Sequence, residues 1–197
     1  MTFWASTLVL TLALSLVGWA WIRPSTEGGA ISAQPQWTYA SLSQPSRPTQ
    51  ILVPSVGVKA PIIPIQVEDQ VLEPPADPST IGWWDASAMP GQTGGQSVMT
   101  GHSVHTGGGE LDLLREVRAG ERVDVRTSEG TVRYKIDRLV VWSYAEVAQR
   151  YRQLFEQRPE EKGRLVLITC TDWDGTKWNS NVIVFARQLG VPQRLQS

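Results

Sequence analysis

The chain has 197 residues, enough for one domain of ordinary size with extra segments. Its 18 Lys and Arg nearly balance 19 Asp and Glu, and a net charge of −1 gives no basis for a nucleic-acid partner or a basic membrane-binding face. A single cysteine, Cys170, excludes an intramolecular disulfide and any multi-cysteine metal site, and Cys/His chemistry must draw on His102 or His105, the only two histidines.

Residues 3–22 carry no charge and no proline. A run of this length suffices to cross the hydrocarbon core as a helix, which needs about 20 apolar residues. Trp19 and Trp21 stand near its end, where indole rings favour the interface, and Arg23-Pro24 stops it. The run exceeds the apolar core of a usual signal peptide and no Lys or Arg precedes it. Residues 1–23 are therefore read as a membrane anchor. Residues 24–47, rich in Gly, Ser, Gln and Pro, are read as a flexible linker.

From residue 48 the texture changes to short strands and turns. Residues 51–53 form one strand and 60–67 another, which Pro61 and Pro64 assign to an edge or a bulge. Residues 68–70 are a turn, 73–80 a proline-rich ordered loop, and 96–100 a short strand leading to Gly101-His102. Leu111, Leu114 and Val117 at helical spacing predict a short helix over 110–118. Residues 122–127 and 131–141 alternate apolar and polar around a three-residue loop, Ser128-Glu129-Gly130, and predict a hairpin. Ser143-Tyr144-Ala145-Glu146 has the form of a capping box, and Val147, Tyr151, Leu154 and Phe155 give a second amphipathic helix closed by Pro159. Residues 165–168 and 182–186 are continuous apolar strands. Many short strands, two inserted helices and no βαβ rhythm predict a mostly-β domain, closed or nearly closed.

Cys170 ends the 165–168 strand in this reading and faces a polar loop, residues 171–177, so its thiol is accessible. A free cysteine is often a small buried hydrophobe, but a thiol at a strand end beside an imidazole can be a nucleophile. Either His102 or His105 could take its proton on chemistry alone. The residues present do not supply the several His or Cys ligands of a structural zinc site, and no phosphate-binding loop or serine elbow occurs.

Five blocks, in order, resemble the sortases, the cysteine transpeptidases of bacterial cell surfaces. Residues 51–62, reading ILVPSVGVKAPI, resemble the family's opening I-P-x-I-G-V-x-A-P-I. Gly82-Trp83-Trp84 resembles its G-W-Y/W segment, and Pro90-Gly91 with Thr100-Gly101-His102 resembles P-G…(T/A)-G-H. Residues 111–125 resemble F-x-x-L-x-x-L-x-x-G-D-x-V-x-V. Leu167-Ile168-Thr169-Cys170 resembles the end of T-L-x-T-C, with Val166 in place of the first Thr. The resemblance spans residues 48–190, leaves 191–197 as a tail, and looks nearest to the subclasses called D, E and F.

It implies a closed eight-stranded β-barrel with two short helices, with Cys170 on the seventh strand and His102 rather than His105 as the catalytic partner. It also implies cleavage of a C-terminal sorting signal on surface-protein substrates through a thioacyl intermediate. The acyl group then passes to an amine, commonly on a peptidoglycan precursor. This would occur on the outer side of the cell membrane, with the N-terminal helix as a single-pass anchor and with no metal or cofactor. The family's arginine at the start of the last strand is missing. Its slot falls on Asn181 or Asn179, with Lys177 nearby. A catalytically weak or inactive sorting-signal binder is the alternative this departure raises. A wall-acting L,D-transpeptidase would need a His/Ser-Gly-Cys-x-Arg pattern that Thr169-Cys170-Thr171-Asp172 lacks.

Overall fold

Side chains alternate along a strand, so a continuous apolar strand needs cover on both faces. Leu165 and Leu167 face one way and pack with Val182, Val184 and Ala186 in the larger apolar cluster. Val166 and Ile168 face the other way, with Ile183 and Phe185, in a second cluster. The fold supplies the two covers by different means. The first is the inside of a barrel, and the second is a pair of short helices laid on its outside.

The computed structural model describes residues 37–68 and 71–194. In chain order these form β1 (Trp37–Ala40), β2 (Pro48–Val53), β3 (Val58–Ile65), β4 (Ile81–Trp84), β5 (Gln96–Thr100), β6 (Arg122–Thr127) and β7 (Gly130–Ser143). Then come α1 (Tyr144–Gln149), α2 (Tyr151–Phe155), β8 (Arg164–Trp173) and β9 (Trp178–Arg194). The strands run in the order β9-β7-β6-β2-β3-β4-β5-β8, and β8 pairs back to β9. That closes an eight-stranded barrel, as expected. Its neighbours are antiparallel except β3–β4 and β5–β8, which are parallel.

Several sequence readings need correction. Pro61 and Pro64 lie inside the closed sheet, not at an edge. The β2 ladder ends at Pro61 and the β4 ladder begins at Ile62, so each proline sits where one neighbouring strand is absent and no ladder donor is lost there. The helix expected over 110–118 is one 3₁₀ turn, Leu114–Glu116, although Leu111, Leu114 and Val117 are buried as their spacing required. The 128–130 loop is one residue tighter, because Thr127 pairs with Gly130. The helix after Ser143 breaks into two at Arg150.

The segments read as linker and tail also change. β1 lies within residues 24–47 and pairs with the far end of β9, from Trp37↔Arg194 to Ala40↔Val191. Gly190 permits this, since its φ is 118° and a Cβ there would meet the Ala40 carbonyl oxygen at 2.4 Å. Trp37 lies against the guanidinium groups of Arg133 and Arg194, 5.3 and 5.7 Å from its ring centre. The anchor at 1–23, most of the linker, and positions 69–70 of the predicted turn lie outside the described residues. Among the described residues no helix is long and apolar enough to cross a membrane.

The two helices are fixed at both ends. At the start, the Ser143 hydroxyl accepts from Glu146 N at 3.3 Å and the Glu146 carboxylate accepts from Ser143 N at 2.9 Å, the capping box read from the sequence. At the end, the Gln157 side-chain oxygen accepts from Gln96 N at 3.0 Å and Ala88 N at 3.2 Å, which ties the chain after α2 to β5. Between them Leu154 is fully buried against the barrel wall. Leu154→Ala is expected to cost about 2–5 kcal/mol, the range for a buried leucine truncated in place. Urea unfolding of the purified protein checks this.

Candidate active site

The outer apolar layer stops where β5 leaves the barrel. β5 pairs with β8 as far as Thr100↔Ile168. At that point Gly101 N donates to Ile168 O at 3.2 Å, and the Thr169 hydroxyl donates to Gly101 O at 2.9 Å. Gly101 must lie flat here, because a Cβ would meet the side chains of Ile81 at 2.4 Å and Leu111 at 2.9 Å. β8 then continues with one neighbour, and Cys170 pairs with Asn181 of β9. Cys170 is thus inside β8, three residues before its end, rather than at the strand's end. The accessible side comes from loss of β5, not from loss of strand structure.

Alternation puts Thr169 inward, buried, with its hydroxyl 2.9 Å from that of Ser103. Cys170 faces outward, half-buried, on the floor of a groove of about 450 Å³. Leu154 and Phe155 of α2, Pro74 of the 71–80 loop, Tyr144 and Asn181 line its walls. Burial pushes the Cys170 thiol above its ordinary pKa, and the Tyr144 hydroxyl pulls it part of the way back.

His102 is placed by register. It follows two residues after the last β5–β8 pair, Thr100↔Ile168, and so comes off the strand that flanks β8 on the side opposite Asn181. No hydrogen bond joins the imidazole to the thiol. Its Nε2 lies 2.8 Å from the Pro75 carbonyl oxygen. A carbonyl only accepts, so Nε2 carries a proton and Nδ1 is the free acceptor of the neutral ring. The loop that presents Pro75 is held by the Asp77 carboxylate, which accepts from Ser79 N and Oγ at 2.9 and 2.8 Å. His105 is elsewhere, its ring stacked on Trp173 at 4.3 Å.

The two candidate asparagines separate cleanly. The Asn181 amide nitrogen donates to Thr169 O at 3.3 Å and lies 4.0 Å from Cys170 Sγ. Asn179 instead donates to Asp174 Oδ2 at 2.9 Å and to Asp172 O at 3.3 Å, within the turn joining β8 to β9. With Asn179, Lys177 N and Thr176 N donating to it, the Asp174 carboxyl is held down to about 2. Lys177 belongs to that turn, beyond the Trp173↔Trp178 pair. Arg187 pairs with Asp137 and sits level with Arg164, at the other end of the hairpin.

Two groups near the site had escaped the sequence reading. Arg115 donates to Asp172 Oδ1 at 2.8 Å and to the Thr171 hydroxyl at 3.3 Å, bracing β8 just past the thiol. Asp172 there has a φ of 59°, unusual for a residue with a side chain. Nothing local in the sequence joins positions 115 and 172. Tyr144 had been noticed only as a member of the capping box. Its nearness to Cys170 depends on how β7, β9 and β8 align.

A closed barrel with a lone outward thiol between an imidazole and a carboxamide defines a cysteine acyl-transfer architecture. Residues 51–189 match the sortase domain, and the chain belongs to the sortase family of cysteine transpeptidases. No curated protein matches it. Among solved structures it resembles the Clostridium perfringens sortase D5 transpeptidase, at 22% identity and a TM-score of 0.55 over 73% of this chain and 79% of that one. It resembles Corynebacterium diphtheriae sortase A at 20% identity and a TM-score of 0.57, over 75% and 63% of the two chains. Sortase C-1 of Actinomyces oris matches at 21% identity and a TM-score of 0.56, over 72% and 73%. At these identities the likeness is one of fold, and it spreads across classes A, C and D.

The raised thiol pKa has a direct consequence. Thiolate, the reactive form, accumulates only as pH rises through that higher value, so Cys170 alkylation by iodoacetamide should have its midpoint above that of a free thiol, about 8.5. The rate of carbamidomethylation against pH, followed by mass spectrometry of the intact protein, checks the sign.

Proposed function

We propose that this sortase is membrane-anchored through residues 3–22 and works on the outer side of the cell membrane. There it cleaves a C-terminal sorting signal on other proteins and transfers them to a cell-surface amine. The observation that carries this reading is the outward Cys170 of β8, paired with Asn181 of β9 on the floor of a groove of about 450 Å³, with His102 two residues past the end of β5 on the other side. The charge-free run of residues 3–22 supports the anchor.

In the first half-reaction the Cys170 proton passes to His102 and the sulfur attacks the scissile carbonyl. The imidazolium then protonates the departing amine, leaving the substrate as a thioester on Cys170. In the second, an incoming amine gives its proton to His102 and attacks the thioester, and the thiolate leaves. His102 must release Pro75 or work through Nδ1 to do this. Asn181 stands beside the sulfur where the family has arginine. Its amide can donate to the developing oxyanion, but it offers no positive charge and no bidentate grip.

The purified protein, incubated with a panel of sorting-signal peptides and hydroxylamine, should give a thioacyl adduct on Cys170 and a hydroxamate product. Both should vanish in Cys170→Ala and fall steeply in His102→Ala. Asn181→Ala should lower turnover by about 10²–10³, the usual loss for one oxyanion donor. Asn181→Arg should raise turnover while Asn179→Arg leaves it unchanged. A protein that binds the peptides but never forms an adduct is instead a sorting-signal binder without turnover.

A further inference from the structure

Among the described residues no arginine or lysine bonds to Cys170, and the amide of Asn181 is only marginally within reach of the sulfur. One further donor faces it. Trp142 of β7 pairs with Asn181, and Asn181 with Cys170, so three strands lie side by side at this level. The chain leaving β7 after Ser143 therefore passes over the thiol. The first residue it presents is Tyr144, held in place by the Ser143–Glu146 capping box. Tyr144 shares the groove wall with Asn181, and its ring is 51% exposed. Its hydroxyl makes no hydrogen bond among the described residues, so it is free to turn toward the sulfur that lines the same groove. The other titratable group lining the groove is Glu73, on the 71–80 loop, while His102 follows Gly101 of the groove wall with its Nε2 against the Pro75 carbonyl.

We propose that Tyr144 is a further catalytic residue, whose phenol hydroxyl donates a hydrogen bond to Cys170 Sγ as the thiolate forms. This rests on the acyl-transfer reading above. The thiol proton goes to His102, while Tyr144 keeps its own proton and no bond to it is made or broken. Partial burial and the neighbouring sulfur both push the phenol's own ionisation upward, so it stays a donor at any pH where the enzyme would work. A neutral donor to sulfur thus takes over part of what a positive charge does in the family's usual site.

The test is Tyr144→Phe in the full chain, read in two ways. Alkylation of Cys170 by iodoacetamide across pH reports the thiol directly and needs no substrate. The midpoint should rise by about one pH unit, which lowers the thiolate fraction at neutral pH about tenfold. Turnover of a sorting-signal peptide at neutral pH should fall by a similar factor in kcat, with KM unchanged. An alkylation profile superimposable on that of the parent protein, with an unchanged melting temperature, overturns the proposal, even if KM rises. In that case Tyr144 contacts substrate only. Should no peptide be turned over by the parent protein, the acyl-transfer reading fails, and the alkylation profile still decides whether the hydroxyl holds the sulfur.

Discussion

The pair β8–β9 has to be covered on two faces, and the active groove is the place where one cover ends. Inside, Leu165, Leu167, Val182 and Val184 join the barrel core. Outside, Val166, Ile168, Ile183 and Phe185 need Trp142, Leu154 and Phe155 over them. The outer cover is short, because α1 and α2 together span only residues 144–155. Past Ile168 both β5 and the apolar layer run out together. A cysteine at the next outward position is therefore floored by sheet, walled by helix on one side and open on the other. The scaffold makes the thiol accessible without making it mobile.

The chemistry of the groove is set by an unusual scarcity of charge. Desolvation keeps Cys170 as a neutral thiol at rest, the group level with it is an amide, and the Nε2 of the nearby His102 is engaged with a carbonyl. The arginine that does come near, Arg115, is drawn to Asp172, two residues past the thiol. A resting thiol makes a site that is quiet toward solvent oxidants, since thiolate is the form they attack. In the proposed mechanism activation would then depend on substrate, which would exclude water from the groove and favour the ion pair beside an incoming carbonyl.

Much of this was legible in the chain. The apolar runs at 165–168 and 182–186 announced strands buried on both faces, and the capping box at Ser143 announced a helix at its true start. The blocks around His102 and Cys170 indicated the barrel and pointed to both residues. What local pattern could not give were facts about register. Asn179 and Asn181 differ by two positions, and only the pairing of Cys170 with Asn181 puts one beside the thiol and the other at the start of β9, bonded to the turn. The prolines of β3 misled for a related reason, since an edge-like environment can arise inside a closed sheet wherever neighbouring ladders are staggered. Arg115 and Tyr144 come near the cysteine's surroundings through space, from 55 and 26 positions away in the chain, and no spacing rule links them to it.

The small strand β1 fixes the enzyme's leash. Because residues 37–40 are sewn to the end of β9, any tether from the proposed anchor is confined to positions 24–36 rather than 24–47. With the proposed anchor, that length reaches at most about 45 Å when fully extended. A tension along the tether would meet the four paired residues of β1 before it met the barrel, leaving the groove undisturbed.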